Sequence, residues 1–167
     1  RTEKPVVRGD VPAPVLWRAA YVALVLAVPL SFLAAGPVGG AAHVVAVLSA
    51  WAYDLRLKTT VLSWLPYAVS FGLVPSFVWF GLTPPSAPPA WLTAAAAALG
   101  VAAHLANALP DIESDTAVGA GGVVARLGAV RAGRLSLLVL VGALTLLAPH
   151  LGVPGWVGAS LVVLVAA

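Results

Sequence analysis

The chain is predicted to be an all-α bundle of about six transmembrane helices, each crossing in roughly 20 residues. Its nine basic and six acidic side chains fall in three short clusters, Arg1 to Arg18, Asp54 to Lys58 and Asp111 to Arg134. Residues 19–53, 59–110 and 135–167 contain no Asp, Glu, Lys or Arg, and each stretch has room for two crossings. With 61% apolar and 9% charged residues and a mean hydropathy of +1.01, the chain is no ordinary soluble domain, where charge makes up about a quarter of the residues. Two crossings return the chain to the side it left. The three charged clusters therefore share one face of the bundle.

The opening RTEKPVVRGDVPAP reads as a polar loop, broken by Pro5 and Gly9. Pro14 suits the first turn of a helix, and the first span is expected over residues 13–35. GPVGG at 36–40 reads as an uncharged turn. The second span, 41–53, is short and is expected to extend into AYDLRLK. The third, 61–82, contains Pro66 and Pro75; kinks are expected there, because neighbouring helices can satisfy the carbonyls that proline frees. TPPSAPPA at 83–90 is a second uncharged connector, and the fourth span runs from Trp91 to Leu109. Next comes a polar segment, PDIESDTAVGAGGVVARLGAVRAGR. The fifth span covers 135–149, and the sixth begins near Val153.

Connectors with Lys and Arg alternate with connectors that have none. The positive-inside rule places the charged face in the cytoplasm, which makes this an integral protein of the inner or plasma membrane. Spans rich in Ala, Gly and Val allow close helix approach in lipid. Without Cys there is no disulfide or thiolate metal site. The net charge of +3 is no nucleic-acid signal, since the basic residues alternate with acids beside the spans. Met is absent, so Arg1 is no initiator. Residues 1–167 are expected to form a single membrane domain, an internal piece of a longer protein.

Two polar motifs on the charged face could support chemistry. Asn107, Asp111 and Asp115 are four residues apart, and on a continuing helix they form one stripe, with Glu113 on another face. Paired carboxylates suit Mg²⁺, which keeps several waters and bridges one or two carboxylates to a phosphate group. The same acids would also be at home in a solvated loop, paired with Arg126, Arg131 or Arg134. The second motif is Tyr53-Asp54-Leu55-Arg56-Leu57-Lys58. Lys58, as a point charge, and Arg56, as a bidentate fork, could hold phosphate oxygens, or both could be snorkelling topology anchors. Tyr53 could equally be an interfacial aromatic. His43, His104 and His150 have no metal-ligand spacing; His104 precedes Asn107 by three residues and reads as a packing residue or a cavity wall.

Together these stretches resemble the UbiA-type intramembrane prenyltransferase family. RTEKPVVRG is similar to its R-x-x-R-P-x-x-x-G stretch, with Lys4 where Arg is commoner. YDLRLK is similar to its Tyr…Leu-Lys motif, and NALPDIESDTAVG resembles its second acidic motif, N-x-x-x-D-x-x-x-D-x-x-x-G, through Asn107, Asp111, Asp115 and Gly119. The resemblance aligns the six spans with family helices three to eight of nine. The family's first acidic motif has no counterpart here, and Asp54 stands where a small polar residue or Pro is common.

The resemblance implies Mg²⁺-dependent transfer of an isoprenyl group from an allylic prenyl diphosphate to an aromatic or other lipophilic acceptor. Asp111 and Asp115 would ligate the metal, and Asn107 would support the diphosphate. Lys58 and Arg56 would bind diphosphate oxygens, with Tyr53 as a further donor and Arg126 as a further phosphate or acceptor contact. The fragment alone is expected to be inactive. A terpene cyclase of the same superfamily, or an enzyme similar to a polyprenyl-phosphate phosphoribosyltransferase, is the alternative. From another class, a transporter with Asp111 and Asp115 as its ion site stays open; its acids should lie near the bilayer midplane.

Overall fold

A computed structural model describes residues 5–117 and 121–152, together with 154, 156 and 160. Among the described residues the regular structure is all helical, with no strand. Its main elements are α1 (Ala13–Leu55), α2 (Leu65–Phe80), α3 (Ala90–Ala108), α4 (Ile112–Ala117), α5 (Val123–Leu127) and α6 (Ala129–Leu147).

The long α1 is two antiparallel arms joined at a single residue. Gly36 has φ 65° and ψ −170°, a left-handed conformation that favours glycine. Along a straight helix, residues 17 and 51 would lie about 50 Å apart. Instead the Trp17 and Trp51 ring centroids are 6.4 Å apart, those of Tyr21 and Trp51 are 5.5 Å apart, and Ser31 Oγ lies 2.7 Å from His43 Nδ1. The uncharged turn expected over 36–40 is thus confined to Gly36, and the rest is helix. Gly39 and Gly40 act as packing positions: a Cβ on Gly40 would lie 2.7 Å from the Phe32 backbone.

Three helices are long and apolar enough to cross a membrane, Ala13–Leu55, Ala90–Ala117 and Ala129–His150, and Leu65–Phe80 is a shorter apolar helix. With α1 doubled back, five segments run in alternating directions. Six spans are not confirmed, because the sixth falls largely outside the described residues. Boundaries differ from expectation in two further places. The third helix starts at Leu65, which puts Pro66 in its first turn, where proline needs no kink. The fifth starts at Ala129, so Arg131 and Arg134 lie on its first turns, from which long basic chains can reach water.

The interior is built from small residues. Ala35, Ala46, Ala95, Ala102, Ala132 and Ala143 are buried, whereas Leu33, Val25 and Val130 lie open on the surface. Close backbone approach in lipid favours this distribution. A Cβ on Gly100 of α3 would meet the Tyr67 carbonyl oxygen of α2, and Ser136 Oγ of α6 donates to the Ala102 carbonyl of α3 at 2.8 Å. Helix contacts bring the three charged clusters together: Trp17 meets Trp51, and Tyr53 meets Tyr67 and His104. At the opposite end Trp91 stacks on His150 at 3.7 Å.

Candidate active site

Helix α2 has only 16 residues, about 24 Å of helix against roughly 30 Å of hydrocarbon. The preceding stretch is a 3₁₀ turn, Leu57–Thr59, with further turns up to α2. Thr60 Oγ1 donates to the Leu57 carbonyl at 2.9 Å and accepts from the Leu62 amide at 3.1 Å. These side-chain bonds occupy backbone groups that a helix would otherwise satisfy, and they fix the turn that bears Lys58.

Tyr53, Asp54, Lys58, His104, Asp111 and Asp115 line one cavity of about 280 Å³. Tyr53 stands near the end of α1, edge-on to Tyr67 at 5.2 Å and to His104 at 5.8 Å. Asp111 closes a 3₁₀ turn, Leu109–Asp111, and Asp115 stands one turn later in α4. Glu113 is exposed and does not line the cavity. Formally, the lining has three carboxylates against one ammonium.

Arg56, Asn107 and Arg126 are exposed and are not part of this lining. For Asn107 the cause is local. Pro110 has no amide hydrogen to continue the α-helix, and the chain passes through the 3₁₀ turn instead. The backbone leaves helical dihedrals at Ala108 (φ −87°, ψ −10°) just before this turn, and Asp111 and Asp115 line the cavity without Asn107.

A buried contact ties the walls together. Ser63 Oγ lies 3.0 Å from His104 Nε2 and accepts from the Val123 amide at 3.3 Å. Ser63 and His104 are 1% and 2% exposed, and His104 Nδ1 has no hydrogen-bond partner among the described residues. The turn after α1, helix α3 and the start of α5 therefore meet at one hydroxyl. Gly122 makes the meeting possible: a Cβ there would lie 2.5 Å from the Lys58 carbonyl oxygen and 2.8 Å from Ser63 Oγ. Sequence reasoning misses both Ser63 and Gly122. Ser63 is one of three serines in the expected third span, with Ser70 and Ser76, and nothing in the sequence sets it apart.

The donor set fits one half of a Mg²⁺ site: two hard-oxygen carboxylates in a shared cavity, with room for water and phosphate oxygens. Among the described residues, no group of three or more His, Cys, Asp or Glu gathers into an all-protein metal site.

Compared with known proteins, residues 1–167 match the profile of the UbiA prenyltransferase family. No curated protein and no solved structure matches the chain significantly.

Proposed function

Because this chain belongs to the UbiA prenyltransferase family, we propose that it transfers an isoprenyl group from an allylic prenyl diphosphate to an aromatic or other lipophilic acceptor inside the membrane, with Mg²⁺. The observation behind this reading is the donor set of the cavity. Asp111 and Asp115 line the same cavity as Lys58 and Tyr53, and paired hard-oxygen carboxylates beside phosphate-binding groups suit a divalent cation that accompanies a diphosphate. Asp111 and Asp115 would hold such an ion, and Mg²⁺ bound there would offset the charge that develops on the leaving group. The Lys58 ammonium would meet diphosphate oxygens as a point charge, and the Tyr53 hydroxyl would donate a further hydrogen bond. The apolar helices would hold the prenyl tail and keep water from the allylic cation. Arg56, Asn107 and Arg126 have no step in this reading. The basic residues make the charged end cytoplasmic, and the chain is read as the part of a longer prenyltransferase domain that holds its second acidic motif. An ion-transport site is less well supported, since Asp111 and Asp115 lie beyond the last turn of α3.

The test is Mg²⁺-dependent diphosphate release from a panel of prenyl diphosphates by the full-length protein in lipid nanodiscs. Asp111→Asn and Asp115→Asn should each lower turnover about 100-fold or more, the scale for losing charge stabilisation in the transition state. Glu113→Gln should stay near wild type. Full turnover in Asp111→Asn would refute the assignment.

A further inference from the structure

The buried contact at the wall of the polar cavity fixes the position of a proton. Ser63 Oγ accepts from the Val123 amide at 3.3 Å, and the acceptor within reach of its own proton is His104 Nε2 at 3.0 Å. An imidazole that accepts at Nε2 is neutral and carries its proton on Nδ1. An imidazolium would set a second donor against Ser63 and leave the hydroxyl proton without an acceptor. His104 is 2% exposed, and its Nδ1 is buried with no hydrogen-bond partner among the described residues. A buried N–H without an acceptor carries the full cost of its desolvation, and a group kept in that state calls for a functional reason.

The surroundings supply one. His104 lines the same cavity as Lys58, Asp111 and Asp115. It precedes Asp111 by seven residues, which puts it about 10 Å deeper along the helix axis. A diphosphate bound beside Asp111, Asp115 and Lys58 has to point its prenyl end into the apolar helices, so the phosphate bonded to the allylic carbon is the deeper of the two. Tyr53 and Tyr67 meet His104 with their rings, at 5.8 and 4.9 Å between centroids, and answer neither ring nitrogen.

We propose that His104 is a further catalytic residue of the donor site, its Nδ1–H donating to an oxygen of the phosphate bonded to the allylic carbon. The inference rests on the polar cavity binding the prenyl diphosphate. As the allylic C–O bond breaks, its electron pair leaves with the diphosphate, and negative charge grows on that phosphate. His104 donates a hydrogen bond to the growing charge and keeps its proton, as a preorganised donor does. Ser63 fixes the tautomer by donating to the opposite ring nitrogen, and the Val123 amide orients Ser63. Because Nδ1 is buried, the cavity floor relaxes slightly to let the oxygen in.

Amide side chains separate the two ring nitrogens. In His104→Gln the amide takes the place of Nε2: its oxygen accepts from Ser63, and nothing donates where Nδ1 stood. In His104→Asn the amide takes the place of Nδ1 and keeps a donor there, while the contact with Ser63 is lost. With the full-length protein in nanodiscs, His104→Gln should lower kcat for Mg²⁺-dependent diphosphate release about 100-fold, the scale for one preorganised donor. Its unfolding temperature should stay near wild type. His104→Asn and Ser63→Ala should unfold at lower temperature, yet His104→Asn should turn over about tenfold or more faster than His104→Gln, because it keeps that donor. A purely structural His104 predicts the reverse order, since only glutamine preserves the contact with Ser63. If both variants misfold, the wild type decides. ¹⁵N NMR of histidine-labelled protein, assigned by replacing the other histidines with Gln, should show His104 protonated at Nδ1 and not at Nε2. Its Nδ1 signal should move when Mg²⁺ and farnesyl thiolodiphosphate, a non-reactive donor analogue, are added. Turnover in His104→Gln equal to wild type, or above that of His104→Asn, would overturn the proposal. So would a proton on Nε2, or analogue binding that leaves the His104 signal unmoved, and these results would spare the donor-site reading. Failure of the wild type to bind the analogue would remove both.

Discussion

A methyl group added at Gly122 should disable the cavity without touching any group that lines up with substrate chemistry. Gly122 has φ −70°, which alanine adopts freely, so the effect of Gly122→Ala is purely steric. The new Cβ would stand 2.5 Å from the Lys58 carbonyl oxygen, and reaching an ordinary 3.4 Å contact requires a shift of about 0.9 Å. That oxygen belongs to the backbone and cannot rotate away. The movement therefore separates α5 from the turn bearing Lys58 and stretches the 3.3 Å bond from the Val123 amide to Ser63. Overpacking costs about 1–3 kcal/mol and a lost hydrogen bond about 1 kcal/mol, which together make about 2–4 kcal/mol. A misplacement near 1 Å lowers a rate about 100-fold. Diphosphate release measures the second effect and thermal unfolding in detergent the first. Gly133→Ala is the control, since its Cβ would meet nothing closer than Leu109 Cδ1 at 3.9 Å; it should be neutral or stabilising. Wild-type turnover and unfolding temperature in Gly122→Ala would refute the close approach of α5.

Gly36→Ala should lower the unfolding temperature for a different reason: nothing lies within 4 Å of the added Cβ, and the cost is the backbone alone, about 1–3 kcal/mol, because φ 65° with ψ −170° is a conformation essentially confined to glycine. Because the chain has no Cys, single cysteines can report topology without background. Those at Val38 and Ser86 should react with a membrane-impermeant maleimide from one side and one at Glu113 from the other, and labelling of Val38 and Glu113 from the same side would overturn the alternation of spans.

Charge placement makes the architecture legible, because membrane helices exclude charge over lengths fixed by the bilayer. That constraint predicts the reversal near Gly36 and the meeting of Lys58, Asp111 and Asp115 at one end. It is silent on backbone detail. Gly39 and Gly40 read as turn residues, yet they serve helix packing, since glycine suits both uses and only the neighbouring arm distinguishes them. Asn107 leaves the stripe because the backbone departs from helical dihedrals at Ala108, just before the 3₁₀ turn, and helical spacing cannot register that. His104 reads as packing or cavity wall, and it is both: buried against Tyr67 and bonded to Ser63. Ser63 is invisible in the sequence because its partners, His104 and Val123, lie far off in the chain.

Each large helix packs chiefly on the one before it: α2 on α1, α3 on α2, and α6 on α3. In biogenesis, this order lets every helix find its neighbour already in place as the ribosome delivers it, and contacts so close in sequence form quickly. The Tyr53–His104 contact and the bond from Val123 to Ser63, which joins residues 60 apart in sequence, reach further. The polar chamber is therefore the last part to be completed, after the helices around it have already been inserted.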